Sequence, residues 1–96
     1  MGFVVIATWT AKDGQAEHIR RILQEMAPGN RAEAKMVQFQ AHASVDDPNT
    51  FVLYEHYSDP SGYDDHRASE AFQACVVGEA IPNLVTRQVG TYMTLD

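Results

Sequence analysis

The sequence holds a single cysteine, Cys75, in 96 residues, so no internal disulfide can form. A reducing compartment is the natural expectation. Bases are also scarce: seven Lys and Arg stand against thirteen Asp and Glu, a formal net charge of −6. Nucleic-acid binding needs a basic surface that displaces counterions from phosphates. Here only Arg20 and Arg21 are adjacent and the other bases stand singly. Neither nucleic acid nor an anionic membrane is therefore an expected partner. The apolar start "MGFVVIATWT" is far shorter than the roughly 20 residues that span a bilayer. It lacks the basic n-region and small-residue cleavage site of a leader, and Gly2 lacks the Ser or Thr of a myristoylation signal. These absences predict a soluble cytoplasmic protein. There is no Gly-x-Ser-x-Gly elbow and no Gly-rich phosphate loop; "KDG" and "PG" are turn signals only.

What is present is an ordinary globular composition, 45% apolar, in a length that suits one domain over residues 1–96. A chain this short buries only about 60–65% of its unfolded surface, so association would help its stability. Residues 3–10, "FVVIATWT", are β-branched and aromatic and read as a strand. From Gln15 the apolar residues Ala16, Ile19, Ile22, Leu23 and Met26 follow helical spacing. Pro28-Gly29 is expected to break that helix, with "NRAEA" forming at most another turn. Residues 35–44 alternate, with Val37, Phe39 and Ala41 set against Gln38, Gln40 and His42. "VDDPNT" is rich in turn formers, and "FVLYEHY" (51–57) completes a hairpin.

Asp59-Pro60 reads as an N-cap followed by proline at the first helical position, opening a short helix to about Arg67. Ser69 reads as a second N-cap, for a helix that carries Phe72, Cys75 and Val76 on one face. Residues 86–95 read as a last strand. The order β-α-β-β-α-α-β predicts an α+β fold: one antiparallel sheet with helices on one face, the ferredoxin-like split βαβ arrangement. Strands 3–10 and 51–57 are apolar or aromatic on both faces, and no helix remains to cover the second face. A homodimer through that sheet face is the expected cover.

Histidines stand at 18, 42, 56 and 66. No two sit at i, i+4 on a helix or i, i+2 on a strand, so the spacing points to no metal site. Cys75 lies on an apolar stripe, where a cysteine is usually a small buried hydrophobe. His66 differs. Tyr63 and His66 are three apart on the short helix and share a face that continues toward Phe72. Facing the sheet, the imidazole would be partly desolvated and suited to acid–base work. Rotated by one residue, beside Asp64 and Arg67, it would be a solvated helix residue. Spacing leaves both readings open.

"EAKMVQFQAHASVDDPNTFVLYEHYSDPSGYDDHRASEAF" (33–72) resembles the antibiotic biosynthesis monooxygenase domain family, many of whose members are assigned as quinol monooxygenases. The similar pieces are a strand ending in His-x-Ser, an Asp-Asp-Pro connection, a Phe-x-Leu-Tyr-Glu strand, and His-x-x-Ser-x-x-Phe across two helices. "ATWTAKDGQAEHI" (7–19) resembles the family's first strand, turn and helix. The resemblance implies a dimeric α/β barrel with a cleft between sheet and helices, lined by His66 and Phe72. Departures are visible. Ala34-Lys35-Met36 stands where many members have Pro-Gly-Cys, and Tyr57 where a Trp commonly closes the third strand. Val76 and Ala7 occupy the positions of the axial histidine and the asparagine of the haem-degrading branch, so haem has no evident ligand.

The function this implies is a monooxygenase without cofactor, acting with O2 on a small aromatic substrate, a hydroquinone or phenol. His66 would be the acid–base group and Tyr63 or Tyr57 would handle an oxygen. Leu53, Phe72, Val76 and Ala7 would form the substrate walls. Two other readings stand beside it: a proton-transfer isomerase of a small metabolite, and a non-catalytic ligand-binding or accessory dimer.

Overall fold

A computed structural model describes residues 2–96. The strands are β1 (Phe3–Ala11), β2 (Met36–Ala43), β3 (Thr50–Tyr57) and β4 (Leu84–Met93). The helices are α1 (Ala16–Arg31), α2 (Pro60–Ala68) and α3 (Phe72–Ala80), the last followed by a 3-10 turn at Ile81–Asn83. The sheet has the order β2-β3-β1-β4 and every neighbouring pair is antiparallel. This is the ferredoxin-like arrangement expected from the element order. Among the described residues no helix is long and apolar enough to cross a membrane.

The core lies between the sheet and the helices. Ile19, Ile22, Leu23 and Met26 of α1, with Phe72, Val76 and Ala80 of α3, pack on Ala7, Trp9, Phe39, Phe51 and Leu53 of the sheet. Register fixes which side chains share this inner face. Val5 pairs with Glu55, Ala7 with Leu53, and Trp9 with Phe51; on the other side Ala7 pairs with Val89 and Trp9 with Arg87. The outer face carries Val4, Ile6, Val52, Tyr54 and Tyr92, of which Ile6 is 36% and Tyr92 53% exposed.

Several boundaries differ from the sequence expectation. Pro28 does not break α1, which runs through Gly29 to Arg31. Pro28 is exposed, so its missing N–H falls on the solvent side, where the freed carbonyl is open to water. Arg31 anchors the last turn by donating from Nε to the Phe39 carbonyl at 3.1 Å. Val37 leaves the apolar face of β2. The register shifts between Met36 and Gln38, and this bulge re-aims Val37 until it is 60% exposed. Strand β4 starts two residues earlier than the expected Thr86 and ends at Met93. Helix α3 is also π-wound, which its sequence did not signal, with the Ile81 N–H bonded to the Val76 carbonyl.

Candidate active site

Two caps place His66. Asp59 accepts from the Ser61 N–H at 2.8 Å and starts α2 as expected. Ser69 ends it, donating from its hydroxyl to the His66 carbonyl at 2.7 Å. The same oxygen accepts from the Phe72 N–H at 3.1 Å. One hydroxyl thus closes α2 and opens α3, which fixes the angle between the helices that carry His66 and Phe72. Gly62 sets the distance to the sheet. A Cβ there would sit 2.8 Å from Tyr57 Cδ1 and 2.9 Å from Lys35 Cβ, so only glycine lets α2 lie this close to β3. His66 is one turn farther along and faces inward, 4% exposed, while Asp64 and Arg67 pair on the outside at 2.7 Å.

Both imidazole nitrogens face carboxylates. Glu33 lies 2.8 Å (Oε2) and 3.0 Å (Oε1) from Nδ1. Glu55 Oε1 lies 3.9 Å from Nε2. An ionised carboxylate only accepts hydrogen bonds, so Nδ1 carries the proton given to Glu33. In the neutral ring Nε2 then has a free lone pair. The two carboxylates approach opposite sides of the ring and do not converge on one point. Glu33 comes from the turn between α1 and β2, pinned by bonds from the Glu33 N–H to the Asn30 carbonyl and from the Met36 N–H to the Glu33 carbonyl.

Glu55 is 5% exposed and accepts from the Tyr57 hydroxyl at 2.6 Å. Burial pushes the Glu55 carboxyl above the usual carboxylate range; the Tyr57 hydrogen bond and the nearby His66 partly oppose it. Burial, and then the charge of Glu55, push the Tyr57 phenol far above its ordinary value, so Tyr57 remains a donor. Rings surround this polar pair. Phe72 meets His66 edge-on at 5.3 Å between centroids, and Tyr57 lies 6.0 Å from it. Tyr63 packs against Tyr57 with the rings tilted by 42° and centroids 5.8 Å apart, and the Arg67 guanidinium lies over the Tyr63 ring at 4.2 Å.

A narrow cavity runs between sheet and helices. Of the residues singled out from the sequence, Ala7, Leu53, Tyr63, His66, Phe72 and Val76 line it together. Tyr57 does not; it lies behind Glu55, with its hydroxyl engaged there. The open space is about 10 Å³, room for roughly one water. A substrate therefore has to displace side chains, and α3, whose π-winding is a form enriched at functional sites, is one wall. Sequence reasoning missed Glu33, Glu55 and the lining residue Trp9. Glu55 did leave a signal: it alternates with Phe51, Leu53 and Tyr57 on the buried face of β3. Glu33 left none, because nothing in "NRAEA" announces a partner 33 residues away.

Solved structures share this fold across the whole chain. A protein from Shewanella oneidensis is 26% identical with a TM-score of 0.89, covering 95% of this chain and 88% of its own. One from Pseudomonas aeruginosa is also 26% identical, with a TM-score of 0.92 and coverage of 99% and 95%. A Nitrosomonas europaea protein, provisionally named an antibiotic biosynthesis monooxygenase, shares the fold at 21% identity and a TM-score of 0.92, covering 98% and 90%. No curated protein matches the sequence. The family model for antibiotic biosynthesis monooxygenases matches residues 2–77, from β1 into α3 and across every element that holds His66. The chain belongs to the antibiotic biosynthesis monooxygenase family.

Proposed function

We propose that this protein is a monooxygenase of a small hydroquinone or phenolic substrate, with His66 as its acid–base group. The observation that carries this reading is the Glu33–His66–Glu55 arrangement at the cavity wall: a buried imidazole whose Nδ1 is held by a carboxylate at 2.8 Å. Its Nε2 is turned toward Glu55, which lines the cavity with it. Glu33 is a positioning residue. It sets the tautomer and stabilises the imidazolium that forms when Nε2 takes a phenolic proton.

Deprotonation makes the ring electron-rich enough to reduce O2 directly. A ring carbon–oxygen bond forms and the O–O bond breaks. One oxygen stays on the ring and the other leaves as water, accepting protons that His66 returns. A hydroquinone and O2 thus give a hydroxyquinone and water, and all four electrons come from the substrate. Phe72, Val76, Leu53 and Ala7 line the apolar part of the cavity; once side chains are displaced, these walls hold the ring and exclude water. Tyr63 is half-buried and lines the same space; in this reading it orients a substrate oxygen.

Oxygen uptake by the purified protein with a panel of hydroquinones tests the reaction. Uptake should be stoichiometric with product, and His66→Ala should abolish it without unfolding the chain. A His66→Ala protein as fast as the wild type would remove His66 from the chemistry. Turnover that persists without O2 would replace oxygenation by proton-transfer isomerisation.

A further inference from the structure

The acid–base pair occupies one end of the cavity. At the other end stand two hydrogen-bond donors that have no acceptor. Trp9 is 2% exposed, and its Nε1 is a buried polar side-chain atom without a hydrogen-bond partner. An indole N–H can only donate, and a buried donor left unpaired costs about 1–3 kcal/mol. Arg87 is the direct cross-strand neighbour of Trp9 on β4. Directly opposed residues have Cβ atoms about 4.5–5.5 Å apart on one face of a sheet. Arg87 makes no ion pair or hydrogen bond among the described residues, although acids outnumber bases by thirteen to seven. Both residues line the same cavity as His66.

The strand register gives the layout of the floor. One row holds Trp9 and Arg87, the next Ala7, Leu53 and Val89, the third Val5 and Glu55. Rows two residues apart are about 6.6 Å apart, so the backbones of the donor row and the Glu55 row are separated by roughly 13 Å along β1; the long Arg87 side chain still brings its charge within electrostatic reach of Glu55, although it makes no ion pair with it. Between them the floor is apolar, and Ala7 is its smallest member. Arg87 and Val89 are exposed on the edge strand, so the cavity is bordered by solvent along β4.

We propose that the protein takes an aromatic substrate bearing a carboxylate, and that Trp9 Nε1 and Arg87 bind that carboxylate while the phenol at the other end meets His66. The ring occupies the Ala7 row. This rests on the reading of His66 as the acid–base group and adds the chemical class of the substrate. A phenol whose single oxygen is at His66 leaves the buried indole N–H unpaired; a carboxylate satisfies it and the guanidinium together.

The experiment uses a hydroxynaphthoate, with hydroxyl and carboxylate at opposite ends of two fused rings, and the matching naphthol without the carboxylate. The chain has one tryptophan, so proton–nitrogen NMR of the wild-type protein shows one indole N–H signal. That signal should move downfield with the acid and much less with the naphthol. Binding of the acid, by calorimetry, should weaken roughly ten- to a hundredfold in Trp9→Phe and in Arg87→Gln. Arg87→Lys should recover part of the loss, and naphthol binding should fall much less than acid binding in each variant. Equal affinity of wild type for acid and naphthol would overturn the proposal. So would an indole signal unmoved at saturating acid, the result expected if Nε1 serves only a buried water. Oxygen uptake, run in parallel, separates the two readings. Acid binding without uptake leaves the carboxylate site standing and removes the monooxygenase reaction. Uptake on neutral hydroquinones without preference for the acid does the reverse.

Discussion

Removing the Tyr57 hydroxyl discriminates between two roles for that residue. Tyr57 is completely buried and donates to Glu55 at 2.6 Å. Phenylalanine keeps the ring and its packing against Tyr63 and His66, so Tyr57→Phe deletes only the hydrogen bond. A bond to an ionised buried acceptor contributes about 1.5–3 kcal/mol, one to a neutral acceptor about 0.5–1.5 kcal/mol. With Glu55 ionised, the loss should be about 2 kcal/mol, a fall in Tm of about 8–16 °C for a domain of this size. The Tyr57 bond also holds the Glu55 carboxyl down against burial, so the variant's carboxyl moves further up. On acidification Glu55 is protonated, the lost bond becomes a neutral one, and the penalty should shrink toward about 1 kcal/mol. Thermal and urea melts of wild type, Tyr57→Phe, Glu55→Gln and the double variant, followed by circular dichroism from mildly acidic to mildly alkaline pH, measure this. An unchanged Tm for Tyr57→Phe at alkaline pH, with turnover lost, would refute the reasoning. Tyr57 would then act on the substrate directly, as the sequence first suggested.

Glu33→Gln should leave the fold intact but lower kcat/KM roughly a hundredfold and alter its pH profile, because the amide no longer stabilises the imidazolium; steady-state oxygen uptake across pH checks it. In the folded state burial holds the Glu55 carboxyl above its ordinary value of 4.5. Between these two values the folded protein keeps a proton that the unfolded chain has lost, so stability falls as pH rises through that window. Glu55→Gln should abolish that fall, and urea midpoints against pH measure it. The outer sheet face, with Ile6 and Tyr92 exposed, should pair with a second copy: light scattering should give twice the monomer mass, and Ile6→Glu should halve it.

The elements were largely legible because their signals are local. Asp59-Pro60 and Ser69 mark helix starts through the donors that their side chains satisfy, and both caps are observed. The alternation in 51–57 sets its buried face, and that face includes Glu55. Errors arose where solvent or register intervened. Pro28 is tolerated because its side of α1 is wet, and Val37 is turned out by a bulge that no pattern in "KMVQFQ" shows.

By itself the sequence determined the element order, the antiparallel sheet and the shared face of Tyr63, His66 and Phe72, since period and capping are properties of neighbouring residues. Only the tertiary structure decided that His66 turns inward rather than into water. The close approach that Gly62 permits seats α2 against β3, and the turn after α1 brings Glu33 to Nδ1. Likewise, only strand register sets Arg87 beside Trp9 and Glu55 two rows away. A charged or donor group acquires its chemistry from what surrounds it in space, and residues far apart in the chain supply those surroundings here.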